Sequence, residues 1–396
     1  MRIAVVGSGI SGLGAAYLLQ RAHEVHVFEQ EGRAGGHANT VVRDGLPLDT
    51  GFLVYNERNY PLLARLFREL GVETHPSDMS FSVSCVACGL EYSGRRPLAQ
   101  PGNAAKPGFL ALLWEIGRWL RTARPEDESQ SLAEYLDEHR YSQRFRSHFL
   151  VPLTSALWST APSRALEVPA AYAIRFFANH GMLGFGRFRW RTVSGGSRRY
   201  VEAIAARLGE RLRLGSAVRS VRRAPDGVEL RLGDAVERFD RVVLATHADQ
   251  ALALLEDPTP AERRVLGRFR YTRNEAVLHT DSSFLPRARR ARASWNYRLG
   301  DEGRPTITYH LNRLQGLAAE RDYCVTLNEA VPEEHTLARI VYEHPLYTVD
   351  TLRAQAELPR LAGGRTHYAG AYFGNGFHED GLASGVAVAR ALGVEW

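Results

Sequence analysis

Six residues near the start, Gly7-Ser8-Gly9-Ile10-Ser11-Gly12, restrict this chain more than any other feature. They follow an apolar run, Ile3-Ala4-Val5-Val6, and precede helix formers from Leu13 to Gln20. A second run, Val25-His26-Val27-Phe28, ends in Glu29. Strand, glycine turn, helix, strand and terminal acid make one βαβ unit of the dinucleotide-binding kind. Each glycine has its own task. Gly7 permits the tight turn, Gly9 lets backbone come close to a pyrophosphate, and Gly12 lets the helix lie on the strand. Amides at the helix start, around Ser11, then face the phosphates with the positive end of the helix dipole. Glu29, with Gln30 after it, stands about twenty residues beyond the glycines, where a carboxylate can accept from a ribose hydroxyl. A glycine-rich turn in an unrelated α/β protein does not explain that acid.

The next segment narrows the choice of dinucleotide. Gly32-Arg33-Ala34-Gly35-Gly36-His37-Ala38-Asn39-Thr40 resembles the RxGGRxxS/T motif of the flavin amine oxidase and phytoene desaturase superfamily. The resemblance implies FAD, with Arg33, Gly35 and Gly36 along its pyrophosphate. His37 stands where those families usually carry Arg, which implies a weaker, pH-dependent cation. Leu48-Asp49-Thr50-Gly51-Phe52 resembles the family strand that runs past the ribityl chain to the flavin ring. Thr192 and the glycines of Val193-Ser194-Gly195-Gly196-Ser197 resemble a turn before a helix that also meets FAD. Val218 falls where a family valine touches adenine, and Ala245 ends a strand leading back to the cofactor. Gly370 and Ala371 resemble the ribityl contact, although Ala371 replaces the usual Asp or Glu. Gly381 and Leu382 are expected to open a last helix whose amides point at the flavin.

Further stretches, Ser294-Trp295-Asn296-Tyr297, Asn312-Arg313-Leu314-Gln315 and Gly376 to Gly381, resemble a bacterial subfamily of FAD-dependent oxidoreductases. That subfamily includes the flavin desaturase of furan fatty acid biosynthesis. The resemblance covers nearly the whole chain and implies an α/β fold. A Rossmann-like FAD-binding domain (1–74, 190–270 and 360–396) would carry a discontinuous α+β substrate domain (75–189 and 271–359). Helices are expected at Leu132 to His139 and Tyr141 to Leu150, and strands near Asn274 to Thr280, Arg304 to His310 and Tyr323 to Asn328.

At 396 residues and 44% hydrophobic, the chain can bury two cores. A strand beginning at residue 3 leaves no room for a signal peptide, so a cytoplasmic protein is expected. The segment Phe109 to Leu120 is too short to span a bilayer. A core-facing helix is the preferred reading there, and peripheral membrane contact through Trp114, Trp119 and nearby arginines is the alternative. Net charge is +6, yet Lys106 is the sole lysine among 50 basic residues. No motif supports nucleic-acid binding. Arg287, Arg289, Arg290 and Arg292 read as a solvated face.

Cys85-Val86-Ala87-Cys88 lacks a second ligand pair at zinc spacing, so the two thiols read as residues of a hairpin whose turn holds Cys88-Gly89. Cys324 lies well before the last flavin motif, which implies a non-covalent FAD. No second GxGxxG follows a strand, since Gly184-Phe185-Gly186 and Gly374-Asn375-Gly376 lack the third glycine. Electrons are therefore expected to pass between substrate and an acceptor such as oxygen, a quinone or a protein. Many amine oxidases of the superfamily use a lysine near flavin N5, and the position of Lys106 disfavours that chemistry. The reading preferred from sequence is desaturation or dehydrogenation of a fatty acyl chain or other apolar lipid. A flavin amine oxidase is the alternative, and a flavin-binding partner of a lipid-modifying enzyme is a third. His378 and Tyr309 are the candidate catalytic residues, with Asn296 also on a strand facing the ring. Asp380 is read as the last helix's N-cap and Glu379 as a surface charge.

Overall fold

The computed structural model describes the chain except residues 125–126, 128, 159–161, 184–187 and 301–304. Gly184-Phe185-Gly186 and the start of the strand expected from Arg304 lie outside the described residues. A five-stranded parallel sheet runs in the order Leu212–Arg213, Glu24–Phe28, Arg2–Val6, Arg241–Leu244, Thr366–Tyr368. Its central strand is buried on both faces, as a parallel sheet between helical layers requires. Ile3 and Val5 enter one apolar cluster, while Ala4 and Val6 enter another with Val242 and Leu244. The strands of this sheet thus come from the beginning, middle and end of the chain.

Helix Ile10–Leu19 is buried along its entire length. It lies between that sheet and helix His378–Ala391, and glycines set how near the two helices come. A Cβ on Gly14 would stand 2.5 Å from Leu382 Cδ1, and one on Gly385 would stand 2.5 Å from the Ser11 carbonyl oxygen. The last helix begins at His378, three residues earlier than its glycine suggested.

The second body is a seven-stranded sheet in the order Thr336–Pro345, Tyr271–His279, Cys324–Leu327, Pro305–His310, Trp295–Leu299, Phe81–Cys85, Leu90–Ser93. Every pair is antiparallel except Trp295–Leu299 with Phe81–Cys85. A helical layer packs on it, including Pro107–Thr122, Leu132–Glu138 and Ala170–Asn179. The helix expected over Tyr141 to Leu150 is instead a short α turn, Gln143–Phe145, a π-helical turn, Arg146–Leu150, and then helix Val151–Trp158. Helix Val349–Glu357 belongs elsewhere: Ala354 and the following Leu358 pack with Val242 and Leu244 of the parallel sheet. The chain therefore returns to the nucleotide-binding layers before residue 360.

Helix Pro107–Thr122 buries Phe109, Leu112, Glu115 and Trp119, in keeping with a core-facing helix. Its other face leaves Leu110 49% and Trp114 62% exposed. No helix among the described residues is long and apolar enough to cross a membrane.

Candidate active site

A cavity of about 860 Å³ runs from the glycine turn to the seven-stranded sheet. At one end it is bordered by Gly7, Gly9, Ser11, Glu29, Gln30 and Arg33, with Val218 and Ala245 nearby. Gly9 caps helix Ile10–Leu19 without any side-chain hydrogen bond, and that helix has no acid in its first turn. Its first amides, at Ile10 and Ser11, therefore meet the cavity as donors without a side-chain partner, which fits a pyrophosphate. A Cβ on Gly9 would meet nothing within 4 Å, so this glycine keeps space open rather than serving packing. Gly7, at φ +102°, closes the turn against the Ala245 carbonyl.

Glu29 ends its strand as expected, and its carboxylate accepts from the Ser8 amide at 2.9 Å and hydroxyl at 2.6 Å. The acid thus braces the glycine turn while bordering the cavity. Arg33 donates to the Gly36 carbonyl at 2.9 Å and pairs with Glu31 at 3.2 Å. Gly35, Gly36, Thr50, Gly51, Phe52, Gly370 and Ala371 carry the lining onward toward the second sheet.

Several expected contacts lie elsewhere. Gly381 and Leu382 do not border the cavity, and neither does Gly12, whose expected task of bringing the helix onto the strand is the one the structure shows. A Cβ on Gly12 would stand 2.0 Å from the Gly7 carbonyl, and one on Gly381 would press Ile10 at 2.8 Å, so both serve close packing behind the site. Thr192 and Gly195 to Ser197 also stand back: Thr192 donates to the Leu53 carbonyl, and the Ser197 amide and hydroxyl donate to Asp49. Gln315 completes that buried network, accepting from the Asp49 amide at 3.0 Å. Asn296 faces away from the cavity because strand residues alternate: Trp295 borders it while Asn296 bonds Ser82 and Ala293.

His37 borders the cavity but is not the cation expected from sequence. Burial, with His344, His247, His378 and Arg33 nearby, pushes its pKa well below the usual histidine value. Its ring stacks on Tyr342 at 4.8 Å, and it lines the cavity as a neutral imidazole. Glu379 is not a surface charge. Its two oxygens accept from the Leu62 and Leu63 amides at 2.8 and 3.0 Å and so cap helix Pro61–Leu70, while burial pushes its pKa up to about 7. Asp380 is not the N-cap but the third helical residue, reaching back to the Phe377 amide at 2.9 Å.

His378 and Tyr309 both border the cavity. The His378 ring stacks on Phe52 at 3.9 Å, and its Nε2 lies 3.2 Å from the hydroxyl of Tyr200, a helix residue that carries no signal in sequence. Tyr200 is fully buried, and leaving its O–H without an acceptor would cost about 1–3 kcal/mol. The phenol therefore donates, Nε2 accepts, and Nδ1 carries the ring's proton. Burial lowers the His378 pKa to about 3, so the ring is neutral between about pH 5 and 9. Flavin reduction followed across that range should show no limb that His378→Gln removes. Loss of a limb in that variant would mean that the histidine titrates during turnover.

The far wall of the cavity is built by Met79, Leu157, Trp158, Phe176, Met182, Trp295 and Leu327. Their apolar character has no periodic signature beyond that of core, which hid them in the sequence. Lys106 is exposed at the start of helix Pro107–Thr122 and does not border the cavity. Neither does Cys85, Cys88 or Cys324, so no cysteinyl bond to a flavin is available.

Fold and cavity together define a two-domain flavoprotein. The chain belongs to the flavin containing amine oxidoreductase family, whose model matches residues 10–343, and FAD is its cofactor. A Mycobacterium tuberculosis protein named as a flavin-containing monoamine oxidase, AofH, is 29% identical over 274 residues. That match covers 65% of this chain and 59% of the relative, so the chain spans little more than half the length of that relative. Cyclohexylamine oxidase from Brevibacterium oxydans has the same fold, with a TM-score of 0.70 over 99% of both chains at 18% identity. The fold of a fatty acid isomerase from P. acnes, which produces CLA, is also alike, with a TM-score of 0.69 over 98% of both chains at 16% identity.

Proposed function

We propose that this protein is an FAD-dependent desaturase or dehydrogenase of an apolar carbon chain such as a fatty acyl group. The observation that carries this reading is the far wall of the cavity. Among the described residues of 75–189 and 271–359, Glu343 is the one carboxylate bordering it, and His247 already meets that acid at 3.3 Å. An ammonium entering such a wall would lose its water without gaining a counter-charge, at a cost of several kcal/mol. A methylene chain would instead gain roughly 0.8 kcal/mol for each buried CH₂.

When bound, FAD accepts a hydride from the substrate carbon. Gly9, Ile10, Ser11 and Arg33 would hold its diphosphate, and Glu29 its ribose. Phe52 and the neutral His378 would fix the ring end, with Nδ1–H of His378 as a donor. Trp295 meets Tyr309 edge to face at 5.2 Å, which steadies the wall beside the reacting carbon. Tyr309 donates to the Ala156 carbonyl at 3.4 Å, and we assign its hydroxyl to pass on the proton that the neighbouring carbon releases as the hydride leaves, so that one hydride and one proton depart for each double bond formed. Electrons then leave to oxygen, a quinone or a protein acceptor. The exposed Leu110 and Trp114 on helix Pro107–Thr122 support uptake of the substrate from a bilayer surface.

Anaerobic photometry tests this reading. Vesicles of unsaturated acyl phospholipid should bleach the bound flavin, and monoamines or polyamines should not. Trp114→Glu should slow bleaching by vesicles and leave bleaching by detergent-dispersed lipid unchanged. Bleaching by amines alone would replace the proposal with an amine oxidase, the reading favoured by the name of the mycobacterial relative. Tightly held FAD that neither compound reduces would favour a flavin-binding partner without turnover.

A further inference from the structure

The hairpin Phe81–Cys85 and Leu90–Ser93 turns back beside the π-helical turn Arg146–Leu150. Sequence alone offered Cys85 and Cys88 no further ligand. The fold brings in His148, sixty residues away. The two sulfurs and a ring nitrogen of His148 all lie within 4.8 Å of one another, and Cys88 Sγ stands 3.6 Å from His148 Nε2.

That spacing is informative. With zinc–sulfur and zinc–nitrogen bonds of about 2.3 and 2.05 Å, a tetrahedral site separates S from N by about 3.6 Å and S from S by about 3.8 Å. The imidazole is also set in the tautomer that a ligand needs. Ser147 Oγ spends its proton on the Gln143 carbonyl at 2.9 Å, so it must accept from His148 Nδ1 at 2.7 Å. Nδ1 therefore carries the hydrogen, and the bare lone pair of Nε2 faces the sulfurs, as in metal sites where a hydrogen bond at the other ring nitrogen orients the ligand. Backbone amides of Ala87 and Cys88 point at the Cys85 sulfur and fix its position in the turn. The supports of both turns are themselves anchored. The Val86 amide donates to the Leu299 carbonyl at 2.9 Å, and the Tyr92 hydroxyl donates to the His148 carbonyl at 2.6 Å.

We propose that Cys85, Cys88 and His148 bind one zinc-class divalent cation in a tetrahedral site whose fourth position takes water. Cys85 is buried, Cys88 is exposed and His148 lies between, so the open position is on the Cys88 side. Among the described residues no fourth protein ligand completes the set. The cation would tie the edge of the seven-stranded sheet to the π-helical turn. That turn leads directly into helix Val151–Trp158, which supplies Ala156, Leu157 and Trp158 to the cavity wall. The role is structural, since none of the three ligands borders the cavity.

The test uses the FAD-loaded protein, purified with a reductant and without chelator, then dialysed against zinc and against metal-free buffer. Elemental analysis should find about one zinc per chain, falling at least tenfold in Cys88→Ser and in His148→Gln while FAD content is unchanged. X-ray absorption should give two sulfurs at about 2.3 Å and one imidazole nitrogen at about 2.0 Å. Cys88 is exposed in a turn, so its serine variant should fold, and retained FAD reports that it has. Reduced wild-type protein that holds less than a tenth of an equivalent overturns the proposal. So does zinc held equally by wild type and both variants. A Cys85–Cys88 disulfide, seen as a mass about two units lower before reduction, counts against it when the reduced protein still takes up no zinc.

Discussion

Gly9→Ala should give a protein that elutes colourless yet melts at the temperature of FAD-free wild type, whereas Gly12→Ala should fail to fold stably. Both residues belong to one motif, and the structure separates their tasks. The added methyl of Gly9→Ala meets nothing within 4 Å and enters the space left for the diphosphate. It holds the phosphate off the amides at Ile10 and Ser11, and losing one or two charge-assisted hydrogen bonds costs about 1.5–3 kcal/mol each. FAD affinity should fall at least a hundredfold, or about 2.7 kcal/mol. In Gly12→Ala the methyl would stand 2.0 Å from the Gly7 carbonyl, inside the βαβ unit itself. The helix would have to leave the strand, and the stability loss should exceed that of ordinary overpacking, about 1–3 kcal/mol. Flavin content by absorbance and melting by circular dichroism separate the two. Equal loss of fold in both variants would mean that Gly9, too, serves packing.

How much of this was legible beforehand follows the range of the interactions. The βαβ unit spans 28 residues of local pattern, from Arg2 to Glu29, and its strands, turn and acid stand where periodicity and glycine chemistry put them. The FAD-facing segments after it were readable through resemblance, although spacing alone did not separate Gly9, which opens space, from Gly381, which fills it. Side chains whose meaning is set by distant partners were misread. Glu379 looked exposed because nothing local shows that it ends against the Leu62 and Leu63 amides, over 300 residues earlier. His37 looked cationic because its burial beside His344 and Tyr342 is a tertiary fact. Tyr200 and His148 gave no signal for the same reason. A helix period tells which face is buried and is silent on the atom waiting there.

The largest loss of stability outside the glycine turn is expected at Asp49. Its carboxylate is 1% exposed and accepts from the Thr40 hydroxyl at 2.5 Å, the Ser197 amide at 2.9 Å and hydroxyl at 2.9 Å, and Gln315 Nε2 at 3.2 Å. These donors come from the strand before it, from the residue preceding helix Arg198–Leu208, and from the second domain's Gln315. Asp49→Ala leaves them buried without an acceptor, which should cost roughly 3–5 kcal/mol in total. The damage should reach the cofactor as well. Thr50, Gly51 and Phe52 follow directly and border the cavity, and a Cβ on Gly51 would stand 2.1 Å from the His37 carbonyl, so this stretch has little room to shift. Flavin fluorescence during heating should therefore rise at a lower temperature in the alanine variant, together with loss of structure.

Asp49→Asn keeps an oxygen for Thr40 and Ser197 and isolates the effect of charge. Burial pushes the Asp49 pKa up to about 6, against the downward pull of its hydrogen bonds and of Arg198, while an unfolded aspartate titrates near 3.8. A carboxyl raised on folding contributes stability that is fully present below about pH 3.8 and lost as pH rises through about 6. Wild type carries that pH-dependent loss, and the asparagine variant does not. The melting temperature of Asp49→Asn, lower than wild type at about pH 4, should thus approach or pass it by about pH 7. A gap that widens with rising pH would show that the network stabilises Asp49 as an anion, with hydrogen bonds outweighing desolvation at the point where the two domains share a buried charge.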